Sequence, residues 1–280
     1  MTRVMLCSDL DRTVLPNGTQ PESPPARPRF RAAAARAELT LVYVSGRNEA
    51  LLHEAIRRYA IPEPAFAIGD VGTTLYAVRS GTWRAWERWT EEIAPDWDGA
   101  GGADLAPLFR DLHELRLQEP GKQNTYKLSF YAPPELDHTT LLAEMRSRLA
   151  RHGVRANLVW SVDETVPLGL LDVLPARANK LHAIRFLMEE LGFDGEQTVY
   201  AGDSGNDLPV LTSGLPAVLV RNATGAVRDE ALRAAAAGAH PGRLYLARGG
   251  YLGMNGNYSA GVLEGLAHFH PQATRWIENA

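Results

Sequence analysis

Two carboxylates one residue apart, Asp9 and Asp11, follow the apolar run Val4-Met5-Leu6-Cys7 in the segment Ser8-Asp9-Leu10-Asp11-Arg12-Thr13. Such a pair can hold a divalent cation, and a carboxylate can attack a phosphorus atom. At the carboxyl end of a buried strand the pair faces the crevice where open α/β sheets bind ligands. The same spacing occurs in ordinary turns, so it needs company. Three later segments supply it. Leu39-Thr40-Leu41-Val42-Tyr43-Val44 leads into Ser45-Gly46-Arg47-Asn48, where a hydroxyl and backbone N–H groups at a strand-to-helix turn can hold phosphate oxygens. Leu171-Asp172-Val173-Leu174 is followed by Lys180, a positive charge at the start of a helical stretch. Thr198-Val199-Tyr200-Ala201 leads into Gly202-Asp203-Ser204-Gly205-Asn206-Asp207, too polar and glycine-rich to be only a helix start. Asp203 and Asp207 complete an all-oxygen set suited to Mg²⁺, which binds few carboxylates and keeps waters plus a phosphate oxygen. Taken singly, Ser45-Gly46 reads as a helix cap and Lys180 as a solvated side chain. Taken in order, the four pieces fill the roles of one phosphoryl-transfer site.

The elements that must position these residues alternate. Strands are expected over 3–8, 40–45 and 65–69, with helices over 29–37 and 48–59, a rhythm that indicates a parallel sheet. Prolines at 16, 21, 24, 25 and 28 forbid a regular helix in the loop after the first strand. The rhythm changes near residue 83, where Trp83, Trp86, Trp89 and Trp97 cluster with acidic residues ahead of the turn Gly99-Ala100-Gly101-Gly102. A helix over 104–116, a strand over 125–131, a helix over 135–152 and strands over 156–162 and 169–174 then read as an α+β insertion. The parallel pattern resumes with a helix over 179–191, a strand over 197–201, a helix over 206–213, a strand over 216–220 and a helix over 223–237. The expected fold is α/β: a Rossmann-like doubly wound parallel sheet core from 1–82 and 175–280, interrupted by an α+β cap over 83–174. A ligand site between two domains is a common arrangement.

Composition narrows the function classes. A net charge of −4 gives no basic footprint, which argues against nucleic acid as the main partner. The single cysteine, Cys7, permits no disulfide within the chain and suits a reducing compartment. No apolar stretch approaches the roughly 20 residues needed to span a bilayer. The N-terminus lacks a charged region followed by an apolar core of signal type, so a cytoplasmic location without membrane contact is expected.

The chain resembles the haloacid-dehalogenase-like phosphohydrolases, whose four motifs are matched by Asp9-x-Asp11-x-Thr13, Ser45, Lys180 and Gly202-Asp203…Asp207. Within them it resembles the sucrose-phosphatase group. That likeness rests on Lys127-Leu128-Ser129-Phe130, Val173-Leu174-Pro175-x-x-x-Asn179-Lys180, Val220-Arg221-Asn222-Ala223 and the tail Ser259 to Phe269. The resemblance implies a nucleophile in Asp9 and a general acid and base in Asp11. It implies Mg²⁺ held by Asp9, the backbone carbonyl of Asp11 and Asp203, with Asp207 a more distant ligand. Ser45, Gly46 and Lys180 would bind the phosphoryl oxygens, and Asn206 would add a hydrogen bond. In that group a cap strand contacts the glycosyl moiety, and the matching positions here are Gln123, Asn124, Lys127 and Ser129. Alternation along Tyr126-Lys127-Leu128-Ser129-Phe130 puts Lys127 and Ser129 on one face. Asp163 and Glu164 read as turn residues. His268 and His270 have no other ligands beside them and are not expected to bind metal.

The expected substrate is a phosphorylated disaccharide, sucrose 6-phosphate first. Mannosylfructose phosphate and mannosyl-3-phosphoglycerate remain alternatives of the same chemistry. A phosphomannomutase-like enzyme would isomerise its sugar phosphate and release no phosphate. A phospho-acceptor binding module shares the acidic pocket, hydroxyl and lysine but lacks an acidic cluster after the lysine. Association with a glycosyl-phosphate synthase is compatible with the resemblance.

Overall fold

The computed structural model of the protein describes residues 3–163 and 168–278, the side chain of Asp163 excepted. In chain order the elements are β1 (Val4–Ser8), α1 (Ala26–Ala34), β2 (Leu39–Val44), α2 (Glu49–Tyr59), β3 (Phe66–Gly69), β4 (Thr74–Arg79) and β5 (Thr82–Ala85). Next come α3 (Glu87–Ile93), β6 (Arg116–Leu117), β7 (Leu128–Ala132), α4 (His138–Arg151), β8 (Ala156–Asp163) and β9 (Leu168–Pro175). The chain continues through α5 (Lys180–Leu191), β10 (Thr198–Gly202), β11 (Ala217–Leu219), α6 (Gly225–Ala237), β12 (Leu244–Leu246) and α7 (Ser259–Phe269). It divides into two compact units, Met1–Ala85 with Ala183–Ala280, and Trp86–His182.

The first unit holds an eight-stranded sheet in the order β12-β11-β10-β1-β2-β3-β4-β5. The six strands from β12 to β3 are parallel; β4 and β5 add an antiparallel hairpin. Every residue of β1 and β10 is buried, as central parallel strands covered on both faces require. The chain leaves β1 toward β2 and β3 on one side, and β10 to β12 build outward on the other. The order therefore reverses between β1 and β10, a topological switch point whose carboxyl edge is the standard place for a ligand. The helix α7 is buried from Ser259 to Ala267. It lies so close to the sheet that a Cβ on Gly265 would come 2.1 Å from Val218 Cγ2.

The second unit is a four-stranded antiparallel sheet, β6-β7-β9-β8. Leu141, Leu142, Met145 and Leu149 of α4 share a core with Leu128, Phe130, Leu171 and Val173 of the sheet. Trp97 is buried in the same core, and Trp89 is buried as well. The α/β class, the doubly wound core and the α+β insertion are as expected.

Local expectations fail where backbone chemistry overrides pattern. Instead of a helix over 104–116 there is one turn, Gly102–Leu105, and a 3₁₀ turn, Ala106–Phe109, because Pro107 cannot donate to a continuing helix. The strand expected from 125 starts at Leu128, since Asn124 and Lys127 exchange backbone hydrogen bonds across a turn. The helix expected over 29–37 runs three residues earlier, with Pro25 at its cap and Pro28 in its first turn, where no intrahelical donor is missed. The helix expected over 206–213 is a 3₁₀ turn, Gly205–Asp207, followed by Leu208–Leu211. Residues 82–85, placed largely in the insertion by the change of rhythm, pair with β4 as β5. Among the described residues no helix is long and apolar enough to cross a membrane.

Candidate active site

The acidic residues stand where β1 and β10 end, on either side of the switch point. The Asp9 N–H donates to the Ala201 carbonyl at 2.9 Å, so the first carboxylate is still in register with the neighbouring strand. The Leu10 carbonyl then accepts from the N–H groups of Thr13, Val14 and Leu15, a tight turn that fixes the residues after Asp9. Asp9, Asp203 and Asp207 are all buried, and each offers a carboxylate oxygen within 4.8 Å of the others. The Thr13 hydroxyl donates toward Asp9 Oδ2 at 3.4 Å and Asp203 Oδ1 at 3.3 Å, bridging the two. Buried like charges at this spacing repel one another, and a bound cation relieves that repulsion. An all-oxygen, carboxylate-rich donor set fits a hard divalent ion such as Mg²⁺.

Asp207 differs from its two neighbours. Its Oδ2 accepts from the Asp203 N–H, the Ser204 N–H and the Ser204 hydroxyl at 3.0 to 3.1 Å, while Oδ1 accepts from the Tyr200 hydroxyl at 2.5 Å. Burial pushes the Tyr200 hydroxyl well above its ordinary range, which keeps it a donor. With four donors on it, Asp207 shapes the turn that carries Asp203. The turn needs Gly202: a Cβ there would lie 2.5 Å from the Asp207 Cγ.

Asp11 points into a different set of partners. Arg47 grips it with Nε on Oδ2 at 2.8 Å and Nη2 on Oδ1 at 2.6 Å, and Asn17 Nδ2 adds a hydrogen bond to Oδ1 at 2.7 Å. The Asp11 hydrogen bonds raise the Arg47 guanidinium above its ordinary value against the opposing effect of burial. Arg47 comes from the segment after β2. There Ser45 is buried, its N–H donates to the Ile68 carbonyl at 2.8 Å, and its hydroxyl accepts from the Arg47 N–H at 3.2 Å. Gly46 is exposed beside it, and Asn48 caps α2 by accepting from the Leu51 N–H. Between Asp9 and Asp11 on one side and Thr13 on the other, Arg12 places its Nε 3.3 Å from Asp203 Oδ2.

The remaining expected residues are spread over both units. Asn206 is exposed, and its Oδ1 lies 2.9 Å from the same Ser204 hydroxyl oxygen, as an alternative acceptor for its one proton. Lys180 opens α5 and groups with the second unit, while the helix from Ala183 onward belongs to the first. In the second unit Gln123 spends its amide on the Ser129 backbone, donating to the carbonyl at 2.9 Å and accepting from the N–H at 2.8 Å. Asn124 Oδ1 accepts from the Tyr126 N–H at 2.9 Å, closing the turn before β7. Lys127 is buried at that turn, and the Ser129 hydroxyl donates to Asp172 of the paired strand β9. Glu164 lies outside the described residues, as does the side chain of Asp163. His268 stacks on Tyr245 with ring centroids 4.2 Å apart, and His270 is buried.

Arg12, Asn17, Arg47, Tyr200 and Asp172 join these groups without having been singled out in the sequence. Arg12 and Arg47 sit inside the motifs, where an arginine beside an acidic residue or a turn serine is a usable signal. A carboxylate inside the apolar run around Asp172 is another. Tyr200 carries no signal beyond a buried aromatic on a strand.

The model of the family described as sucrose-6F-phosphate phosphohydrolase matches residues 2–270. The chain belongs to this family. Sucrose-6F-phosphate phosphohydrolases are phosphatases, hydrolases of phosphoric monoesters. A relative in Nitrosococcus oceani, described as a HAD-like hydrolase, is 60% identical over 276 residues, 99% of this chain and 74% of its own length. Sucrose-phosphatase 1 of Nicotiana tabacum is 27% identical over 277 residues, 96% of this chain but 59% of its own length. The mannosylfructose-phosphate phosphatase of Agrobacterium fabrum is 28% identical over 207 residues, 72% of this chain and 76% of its own. The sucrose-phosphatase of Synechocystis, solved with sucrose and phosphate, shares the fold. Its TM-score is 0.74 at 24% identity, over 96% of this chain and 98% of that one.

Proposed function

We propose that this chain is a Mg²⁺-dependent phosphatase that hydrolyses sucrose 6-phosphate to sucrose and phosphate through an aspartyl-phosphate on Asp9. The observation that carries the reading is the buried group of Asp9, Asp203 and Asp207 at the switch point, with Asp11 two residues beyond Asp9. Asp9, the backbone carbonyl of Asp11 and Asp203 would hold Mg²⁺, whose charge offsets the repulsion between carboxylate and phosphate. Asp9 attacks phosphorus, the bond from phosphorus to the sugar oxygen breaks, and Asp11 gives that oxygen its proton. Water then attacks the aspartyl-phosphate, Asp11 takes its proton, and the bond from phosphorus to Asp9 breaks to release phosphate. Ser45, the Gly46 N–H, Lys180 and Asn206 take the phosphoryl oxygens in this reading.

Sugar recognition falls to the insertion. Gln123, Asn124, Lys127 and Ser129 are the residues we assign to the sugar, with Asp172 accepting from the Ser129 hydroxyl across the sheet. A site built to pair a hydroxyl rejects a sugar that lacks it strongly. Mannosylfructose phosphate is the second reading, favoured by the Agrobacterium relative.

Phosphate release from a panel of phosphorylated disaccharides with Mg²⁺ tests both. Sucrose 6-phosphate is expected to rank first, and Asp9→Asn to lose at least about a thousandfold in kcat, as removal of a nucleophile does. A higher kcat/KM on another glycosyl phosphate removes the sucrose assignment. Turnover retained in Asp9→Asn removes the covalent mechanism.

A further inference from the structure

Arg12 occupies a position that its backbone does not take freely. Its φ is 59°, in the left-handed region where a side chain with a Cβ is strained. Two side chains hold it there through both of its peptide groups. The Arg12 N–H donates to Asn17 Oδ1 at 2.8 Å, and the Arg12 carbonyl accepts from Asn222 Nδ2 at 2.6 Å. Asn222 is itself buried and accepts from the Tyr258 N–H at 2.8 Å, which ties this turn to the start of α7. A strained conformation fixed from several sides marks a place where the direction of the side chain matters. The direction here is toward Asp203: the guanidinium Nε stands 3.3 Å from Asp203 Oδ2, and that nitrogen is buried.

Three buried carboxylates therefore have a covalently attached positive charge at their edge. We propose that Arg12 is a resident countercharge of the acidic pocket, stabilising Asp203 when no cation is bound and holding the affinity for Mg²⁺ down. The proposal rests on the reading of this pocket as the divalent-cation site. It follows from charge alone. A guanidinium 3.3 Å from a ligand oxygen is within a few ångström of any cation that oxygen holds. Even at a water-like dielectric constant, such a charge weakens binding of a divalent ion by about tenfold. A weaker site exchanges its metal readily, and the empty pocket is spared the repulsion of three adjacent carboxylates.

The test is calorimetric titration of the full chain with MgCl₂ alone, with no substrate and no turnover. Wild type is compared with Arg12→Met and Arg12→Gln, which remove the charge, and with Arg12→Lys, which keeps it; circular dichroism checks that each is folded. Both neutral variants are expected to bind Mg²⁺ about tenfold more tightly, with Arg12→Lys within about threefold of wild type. Their metal-free forms are expected to melt at lower temperature than wild type, with Mg²⁺ restoring more of the difference than it does in wild type. If Arg12 merely held Asp203 in place, its loss would weaken Mg²⁺ binding. Equal or weaker affinity in whichever neutral variant folds therefore overturns the proposal. Wild type that binds no Mg²⁺ at millimolar concentration removes the cation reading itself, and the proposal with it.

Discussion

Arg47 holds both carboxylate oxygens of Asp11, through Nε at 2.8 Å and Nη2 at 2.6 Å. The paired donors of a guanidinium fix the plane of a carboxylate, which an ammonium cannot do. Asp11 is 41% exposed at its side chain, and the Asn17 amide is its other side-chain partner among the described residues. If Asp11 exchanges protons with the leaving group and with water, its direction matters at the scale of an ångström. Arg47→Ala is expected to lower kcat by about 10- to 100-fold, and Arg47→Lys to recover only part of the loss. Steady-state phosphate release measures both. Unchanged kcat in Arg47→Ala would mean that this grip is a surface ion pair without catalytic consequence.

The acidic cluster was legible because two independent signals coincide at each position. Val4 to Cys7 and Thr198 to Ala201 are continuous apolar runs, as strands buried on both faces must be, and Asp9 and Asp203 stand just beyond them. Chemistry at the end of such a strand has only one edge to face. What surrounds the cluster was not legible. The Arg47 grip depends on how the segment after β2 folds back over Asp11, and the Arg12 contact depends on a left-handed residue fixed from Asn222, far along the chain. Nor does the sequence show that the amides of Gln123 and Asn124 pair with the backbone of Ser129 and Tyr126. Composition shows that a side chain can hydrogen-bond; only the fold shows what has already claimed it. The missing helix near 104–116 and the early start of α1 were decided by single prolines, whose effect depends on position within a turn.

Gly202 is the point where β10 hands over to the acidic turn. A Cβ there would lie 2.5 Å from the Asp207 Cγ and 2.6 Å from its Oδ2, inside van der Waals contact. Asp207 cannot retreat without losing the donors from Tyr200, Asp203 and Ser204. Gly202→Ala is therefore expected to cost about 1–3 kcal/mol by urea unfolding, the usual range for overpacking. It should also weaken Mg²⁺ binding. Stability equal to wild type would show that the turn can relax around the methyl group.

Glu264 is a buried carboxylate on α7 whose oxygens take three donors. The Tyr245 hydroxyl and the Arg248 N–H reach Oε1 at 2.8 Å each, and the Gly249 N–H reaches Oε2 at 2.9 Å. Burial, with the Glu264 hydrogen bond behind it, pushes the Tyr245 hydroxyl up to about 12, so it remains a donor at neutral pH. These bonds anchor the glycine-rich loop after β12. That loop in turn holds the proline-rich loop, through Asn255 and Asn257 donating to the Pro21 carbonyl at 2.8 and 3.0 Å. Glu264→Gln turns one acceptor into a donor facing another donor and is expected to cost about 1–3 kcal/mol. Chemical denaturation checks this, and a loss below half a kcal/mol would mean the loop is held by its backbone turns alone.

His270 supplies a pH dependence separable from the active site. It follows α7, is 6% exposed, and its Nδ1 lies 3.3 Å from the Gln272 amide nitrogen. Among the described residues the buried Nε2 has no hydrogen-bond partner, and the proton that charges the ring would enter at Nδ1, facing the Gln272 amide nitrogen. Burial accordingly lowers the His270 pKa below its ordinary 6.5, with Glu196 opposing weakly. The sign follows from linkage: below pH 6.5 the unfolded chain takes up this proton and the folded chain resists it, so stability falls as pH drops through that window. Above pH 6.5 the residue contributes no slope. Melting temperatures from pH 7.5 to 5 for wild type and His270→Gln are expected to diverge in slope, wild type losing more below 6.5. The other histidines cancel in the difference between the two proteins. A difference that stays constant across the range would show that His270 reaches solvent when it charges.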